Sequence, residues 1–231
     1  MSPALDPAEL RGRLGEARLM LVFTPGLARG ADPLQVLDAV LEHVDVVQVR
    51  PKALAGAGPC AARETYELAL AVLDLVAGRA GARPLVVVDD RVDVAAALAS
   101  RGVAGVHLGQ DDLEPGAARA LLGDAPLIGL STHDAAQVAA SELQPVDYLG
   151  FGPVFATSTK GYARGLGAER AWVADQASSR PLFPIGGIDA TSAGELALVG
   201  RAAVGAAILS AEDPAAAARA LRALLERERP G

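Results

Sequence analysis

The feature that most constrains this chain is a unit repeated along it: a short apolar run, a stop at glycine or polar residues, then a segment whose apolar positions have helical spacing. The first run, residues 19–23, stops at Thr24-Pro25-Gly26. Asp32-Pro33 then opens a helix, with Asp as N-cap, Pro in the first turn and a stripe of Leu34, Leu37, Val40 and Leu41. Residues 44–49 form the next run and a helix is expected over 61–80. Runs at 85–88, 105–108 and 127–130 follow, with helices over 92–100, 115–122 and 134–143. Asp147-Tyr148-Leu149 precedes a helix over 168–178, residues 182–185 precede one over 192–199, and 206–209 precede one over 214–226. Runs without polar interruption are strands buried on both faces, which means parallel strands under helices. Eight such units favour a single α/β domain over residues 1–231, a (β/α)8 TIM barrel, with residues 1–17 as an N-terminal extension carrying a short helix. An open doubly wound sheet is the alternative, but no glycine-rich dinucleotide fingerprint follows the first strand.

Composition narrows the partners. Aromatic residues are 3% of the chain and net charge is −7, which disfavours single-stranded nucleic acid and polyanions in general. A local group of cations can still hold a small anion. The single cysteine, Cys60, leaves no internal disulfide, and no apolar run has membrane-spanning length. The amino end carries no basic-then-apolar leader, so a cytoplasmic protein without membrane contact is expected.

In a barrel the loops after the strands share one rim, and function collects there. Those positions hold Gln48, Arg50, Lys52, Asp90, Asp112, Ser131, His133, Thr157, Thr159, Lys160, Gly187 and Ser210. Arg50 and Lys52 from one unit and Lys160 from another suit one ligand of several negative charges, such as a diphosphate. Asp90 and Asp112, ending neighbouring strands, suit Mg2+ shared with phosphate oxygens. Gly186-Gly187 and Leu209-Ser210, each before a helix, suit a second phosphate. Plainer readings stand beside these. Either aspartate can serve as a helix N-terminal acid, and the Thr157–Lys160 cluster as a solvated loop. His107, inside an apolar run, reads as a core histidine, whereas His133 can be a base or a cap. No zinc-like grouping and no Gly-x-Ser-x-Gly elbow occurs.

Six motifs in order resemble the thiamine-phosphate synthase family over about residues 19–220. They are Gln48-Val49-Arg50-Pro51-Lys52, Asp89-Asp90-Arg91-Val92-Asp93, the run from Gly105 through His107 to Asp112-Leu113, Gly129-Leu130-Ser131-Thr132-His133, Asp147-Tyr148 through Thr157-Ser158-Thr159-Lys160, and Ile185-Gly186-Gly187-Ile188. The resemblance implies a transferase that joins a hydroxymethylpyrimidine diphosphate to a thiazole phosphate and releases pyrophosphate through a dissociative, carbocation-like step. It implies Gln48, Arg50, Lys52, Asp89, Ser131 and Lys160 around the pyrimidine diphosphate. Asp90 and Asp112 fall to Mg2+, and Thr157, Thr159, Gly187, Leu209 and Ser210 to the thiazole phosphate. Arg50, Lys52, Ser131 and Lys160 would carry the chemistry, with phosphorylated small molecules as partners and a homodimer as a possible assembly.

Two positions depart from the family pattern, which has Glu at 51 and Asn at 89. Pro51 removes a backbone donor and favours an extended Arg50. Asp89 replaces an amide by a group that, ionised, only accepts hydrogen bonds. A related barrel that isomerises the thiazole, and a non-catalytic barrel that binds a thiazole phosphate, are the competing readings. The paired carboxylates and the Thr157–Lys160 run favour the synthase.

Overall fold

The computed structural model describes residues 6–51, 61–81, 83–156 and 165–226. Eight parallel strands form one sheet in the order β7-β6-β5-β4-β3-β2-β1-β8, and an Ile185–Ala203 bridge joins its two edges. The strands are β1 (Leu19–Phe23), β2 (Val46–Val49), β3 (Leu85–Asp89), β4 (Gly105–Leu108), β5 (Leu127–Thr132), β6 (Tyr148–Phe151), β7 (Leu182–Pro184) and β8 (Ala202–Val204). Helices α1 (Pro7–Glu16), α2 (Pro33–Val40), α3 (Ala62–Ala77), α4 (Val92–Leu98), α5 (Pro115–Leu122), α6 (Ala135–Ser141), α7 (Ala168–Ala177), α8 (Ala206–Leu209) and α9 (Pro214–Leu225) accompany them. The expected barrel is thus the observed one. Asp32 caps α2 as read from the sequence, accepting the Leu34 N–H at 2.9 Å.

One unit is corrected. Residues 206–209 were expected as the last strand, but they form α8, and the strand lies four residues earlier at Ala202–Val204. A four-residue apolar run has no periodicity that separates strand from helix, and alanine favours helix. The helix expected over 192–199 also shrinks to a 3-10 turn at Ala193–Leu196, opened by Asp189, whose carboxylate accepts the Thr191 and Ser192 N–H groups.

Successive strand residues feed two different cores. Leu19, Leu21, Phe23, Val47, Val49, Val86 and Val88 pack outward against the helices, whereas Met20, Val22, Val46, Leu85, Val87, Leu127, Tyr148 and Phe183 fill the barrel. This is the two-residue period of a strand with both faces dry. Leu10 and Leu14 of α1 belong to the interior cluster, so the leading helix forms the barrel's floor rather than an appendage.

The amino-terminal end of the barrel is fastened twice in the same way. Asp45, just before β2, accepts the Leu19 N–H at 3.0 Å and Arg222 Nη1 of α9 at 2.8 Å. Asp147, just before β6, accepts the Ile128 N–H at 2.8 Å and Arg119 Nη2 of α5 at 2.7 Å. Positions four units apart therefore carry equivalent bonds. Asp147 also pairs with Arg11 Nε of α1 at 2.8 Å, and its side chain is only 9% exposed. Removing one partner of such a buried pair strands the other charge. Asp147→Ala is therefore expected to lower unfolding stability by about 3 kcal/mol, read as a lower urea midpoint at unchanged slope. A loss under about 0.5 kcal/mol, the range of an exposed ion pair, would refute the clamp.

Candidate active site

The barrel interior turns polar towards its carboxyl-terminal end. Following the inward positions upward leads from Val46 to Gln48, from Val87 to Asp89, and from Leu127 through Gly129 to Ser131. These groups open into a cavity of about 470 Å³ whose wall includes Gln48, Arg50, Asp89, His107, Ser131 and His133. Its other side is built from Ile185, Gly186, Gly187, Gly205, Ala206 and Ser210.

One side of the cavity is charged. Gln48 Nε2 donates to Asp89 Oδ1 at 3.0 Å, and Arg50 Nε lies 3.4 Å from Asp89 Oδ2. Asp89 is 8% exposed, so its charge is held by these contacts rather than by bulk water. The Arg50 N–H continues the ladder beyond β2, donating to Phe23 O at 2.9 Å. A second set joins His107 Nδ1 to the Tyr148 hydroxyl at 3.2 Å and His107 Nε2 to Ser131 Oγ at 2.9 Å. Burial and the negative charge of Asp89 push the Tyr148 phenol above its usual range. His133 Nδ1 donates to Gly152 O at 2.6 Å, and its backbone N–H to Gln137 Oε1 at 2.8 Å.

The opposite side exposes main chain at Gly186 and Gly187, beside the side chains of Ile185, Asp189 and Ser210. Gly186 and Gly187 have φ of +100° and +66°, a conformation open to glycine without strain. A Cβ on Gly187 would lie 2.3 Å from Ala156 O, and one on Gly186 2.8 Å from Pro153 Cα. A Cβ fits at neither glycine, so a ligand at these two positions meets main chain. Asp189 also lines the cavity, and the Thr191 hydroxyl and backbone N–H bonds hold its carboxyl below the usual range.

The sequence-derived residues divide three ways. Gln48, Arg50, Asp89, Ser131, Gly187 and Ser210 line the cavity. Ser210 Oγ donates to Leu27 O at 2.9 Å, whereas Leu209 is buried in α8 with its N–H on Gly205 O at 3.0 Å. Lys52, Thr157, Thr159 and Lys160 lie outside the described residues. Asp90 directly follows β3 and Asp112 lies in the turn after β4; neither is among the cavity-lining residues. Asp112 Oδ2 accepts the Gly109 N–H at 2.7 Å. Asp90 has φ of +58°, the one positive value outside glycine among the described residues, and its N–H donates to His107 O at 2.8 Å. Such backbone strain collects at sites of function. Two carboxylates without a third form the donor set that Mg2+ uses with phosphate oxygens, so these residues fit that ion. Among the described residues no group of three or more His, Cys, Asp or Glu is placed to hold a metal. Arg91, expected beside Asp90 or in a structural pair, binds Asp93 Oδ1 at 2.8 Å.

Sequence reasoning missed His107 and Tyr148 as neighbours of Ser131, and missed Gly205, Ala206 and Ala207 in the wall. The misplaced last strand accounts for the second omission.

Fold and site together define a (β/α)8-barrel enzyme with its cavity at the carboxyl ends of the strands. The profile of the thiamine monophosphate synthase family matches residues 19–211. A thiamine-phosphate synthase of Mycobacterium sp. (strain KMS) is 44% identical over 230 residues, covering 96% of this chain and 97% of that protein. One of Saccharopolyspora erythraea is also 44% identical, covering 96% and 99%. A solved thiamine phosphate pyrophosphorylase of Pyrococcus furiosus superposes with a TM-score of 0.75 at 29% identity, covering 94% of this chain and 98% of that one. The chain belongs to the thiamine monophosphate synthase family and is a transferase of thiamine biosynthesis. No helix among the described residues is long and apolar enough to cross a membrane.

The Asp89–Arg50 pair sets an expectation. A carboxylate 3.4 Å from the guanidinium offsets part of the charge that Arg50 offers an anion. Asp89→Asn keeps an acceptor for Gln48 while removing that charge. It should tighten binding of inorganic pyrophosphate roughly fivefold, about 1 kcal/mol, as measured by calorimetry. Unchanged or weaker binding would mean that Asp89 does not compete for Arg50.

Proposed function

We propose that this chain couples 4-amino-2-methyl-5-(diphosphooxymethyl)pyrimidine to a thiazole phosphate and releases pyrophosphate. The observation that carries the reading is the two-sided cavity: charged side chains at the ends of β2 and β3 face a wall after β7 and β8 that exposes main chain at Gly186 and Gly187. One side suits a diphosphate that must leave, the other a monophosphate that must be held. Barrels of this class commonly bind a phosphate after strands seven and eight beside a short extra helix, the position of α8.

On this reading Gln48 orients the pyrimidine, and Arg50, Lys52, Ser131 and Lys160 take up charge on the diphosphate as its bond to carbon lengthens. Gly187 and Ser210, with Thr157 and Thr159, seat the thiazole phosphate, and Leu209 contributes only by fixing α8. Asp90 and Asp112 would hold Mg2+, which when bound supplies countercharge to the phosphate oxygens. The step is dissociative: the carbon–oxygen bond to pyrophosphate breaks first, and the thiazole nitrogen then donates its electron pair to the pyrimidine carbocation. Such a reaction calls for electrostatic stabilisation and orientation more than for a strong base. That agrees with a site whose histidines are already hydrogen-bonded to the protein. The surroundings for this chemistry are phosphorylated small molecules in the cytoplasm; a homodimer is compatible with it.

Purified protein given both substrates and Mg2+ should release pyrophosphate in step with thiamine phosphate. Isomerised thiazole from the thiazole phosphate alone, without pyrophosphate from the pair, would replace this reading by the isomerase. A second expectation concerns the metal carboxylates. Asp112→Ala should lower Mg2+-dependent turnover by at least a hundredfold, on the order of the 3 kcal/mol that one charge-stabilising group supplies, while the melting temperature moves by no more than a few degrees. A large melting shift with modest kinetic loss would make Asp112 a turn-closing residue instead.

A further inference from the structure

The strand register aligns Asp89, His107, Gly129 and Tyr148 as consecutive neighbours across β3, β4, β5 and β6. Gly129 is the gap in that row. A Cβ there would sit 2.1 Å from Tyr148 Cζ and 2.5 Å from His107 Nδ1, so its absence lets two rings on non-adjacent strands meet. Gly150 forms a second notch, where a Cβ would come within 3.2 Å of His107 Cε1. The result is a chain of three side chains: the Tyr148 hydroxyl, His107 through both ring nitrogens, and Ser131 Oγ at the cavity wall.

The direction of the protons in this chain follows from its buried end. Tyr148 is 0% exposed, and His107 Nδ1 is the one hydrogen-bond partner of its hydroxyl among the described residues. Burial and the nearby negative charge of Asp89 keep the phenol protonated. If Nδ1 carried a proton and donated it, the phenol's own O–H would be left unbonded in dry surroundings, an arrangement folded proteins avoid. The phenol therefore donates, and Nδ1 is the bare nitrogen. In a neutral imidazole the proton then sits on Nε2, 2.9 Å from Ser131 Oγ.

We propose that Tyr148 and His107 are positioning residues that fix the direction of the Ser131 hydroxyl. Nε2–H donates to Ser131 Oγ, and Ser131 is left to donate its own proton into the cavity, towards an oxygen of an anionic ligand. This arrangement is the reverse of a nucleophilic serine–histidine pair, because Nε2 is occupied and does not accept the serine proton. The serine is a donor, not a nucleophile. The inference rests on the coupling reading only in assigning that oxygen to the diphosphate; the proton arrangement stands apart from it.

The test reads the tautomer directly, without any ligand. Full-length protein labelled with 15N-histidine contains three histidines, His43, His107 and His133, separable by the signals lost in His43→Gln and His133→Gln. Long-range 1H–15N correlation at neutral pH should give His107 as a neutral ring protonated on Nε2. Tyr148→Phe should bring in the Nδ1–H form. An Nδ1–H ring or an imidazolium in the wild-type protein overturns the proposal, whether or not the enzyme couples the two substrates. A second arm uses inorganic pyrophosphate with Mg2+ in calorimetry. Ser131→Ala and Tyr148→Phe should each weaken binding severalfold, roughly the worth of one hydrogen bond, and the double variant no more than Ser131→Ala alone. Independent, multiplying losses would overturn the coupling between these residues. Rapid modification of Ser131 by a sulfonyl fluoride would likewise show an activated nucleophile and end it.

Discussion

Everything in this molecule depends on the closed ring of parallel strands, which gives the chain two interiors instead of one. A residue on any strand faces either the helices or the barrel axis, and its neighbour in sequence faces the other way. Water is excluded from both interiors along the lower strands, where Met20, Val46 and Leu85 sit above Leu10 and Leu14 of the floor helix. A polar side chain on the axis is tolerable only where the stack of apolar side chains ends or where partners are supplied. Gln48, Asp89, His107 and Ser131 all stand near that upper limit, and each is hydrogen-bonded to another of the group or to Tyr148. The chemistry is therefore placed by the same alternation that builds the core.

That placement explains how an acidic protein can present a site for anions. The net charge of −7 is a property of the whole chain, whereas Arg50, directly after β2, lines the cavity. Water screens the distant charges, and a cation inside a low-dielectric mouth acts on a ligand at short range. Asp89 then limits how strongly Arg50 acts. A site whose product must leave gains from a cation that is not fully committed to holding the anion, because tight uniform binding does not speed the chemical step.

Much of the architecture was legible in the apolar runs, because strands buried on both faces leave few other patterns. Gln48, Arg50, Asp89 and Ser131 were legible as well, since each falls on the inward alternation at the end of its strand. The misplaced eighth strand shows the limit: Ala202–Val204 is three residues of small apolar side chains, and the following Ala206–Leu209 reads equally well. The His107–Tyr148 contact lies beyond another limit. These residues are 41 apart in sequence and on strands that are not neighbours. Only the register of the intervening strand shows that the residue between them is a glycine. His107, read as a satisfied core histidine, is satisfied; its partners place it in the wall of the cavity all the same.

The two ends of the barrel follow different rules, and the difference separates stability from function. At the amino-terminal end Asp45 and Asp147 make equivalent bonds four units apart, joining the strand before each aspartate to an arginine of a surrounding helix. The two clamps differ in their further partners: Asp147 also takes Arg11 of the floor helix, and Asp45 the Arg18 N–H at 2.8 Å. At the carboxyl-terminal end no such equivalence holds among the described residues. Gln48, one inward position after Val46, has no counterpart on β6, where Gly150 leaves space for the His107 ring instead. Repeated bonds at the floor serve either half alike, whereas a cavity with two unlike sides has to break the symmetry. Here it is broken chiefly by glycines: 129 and 150 admit a ring pair on one side, 186 and 187 admit main chain on the other. The side chains left out thus shape the cavity as much as those that line it.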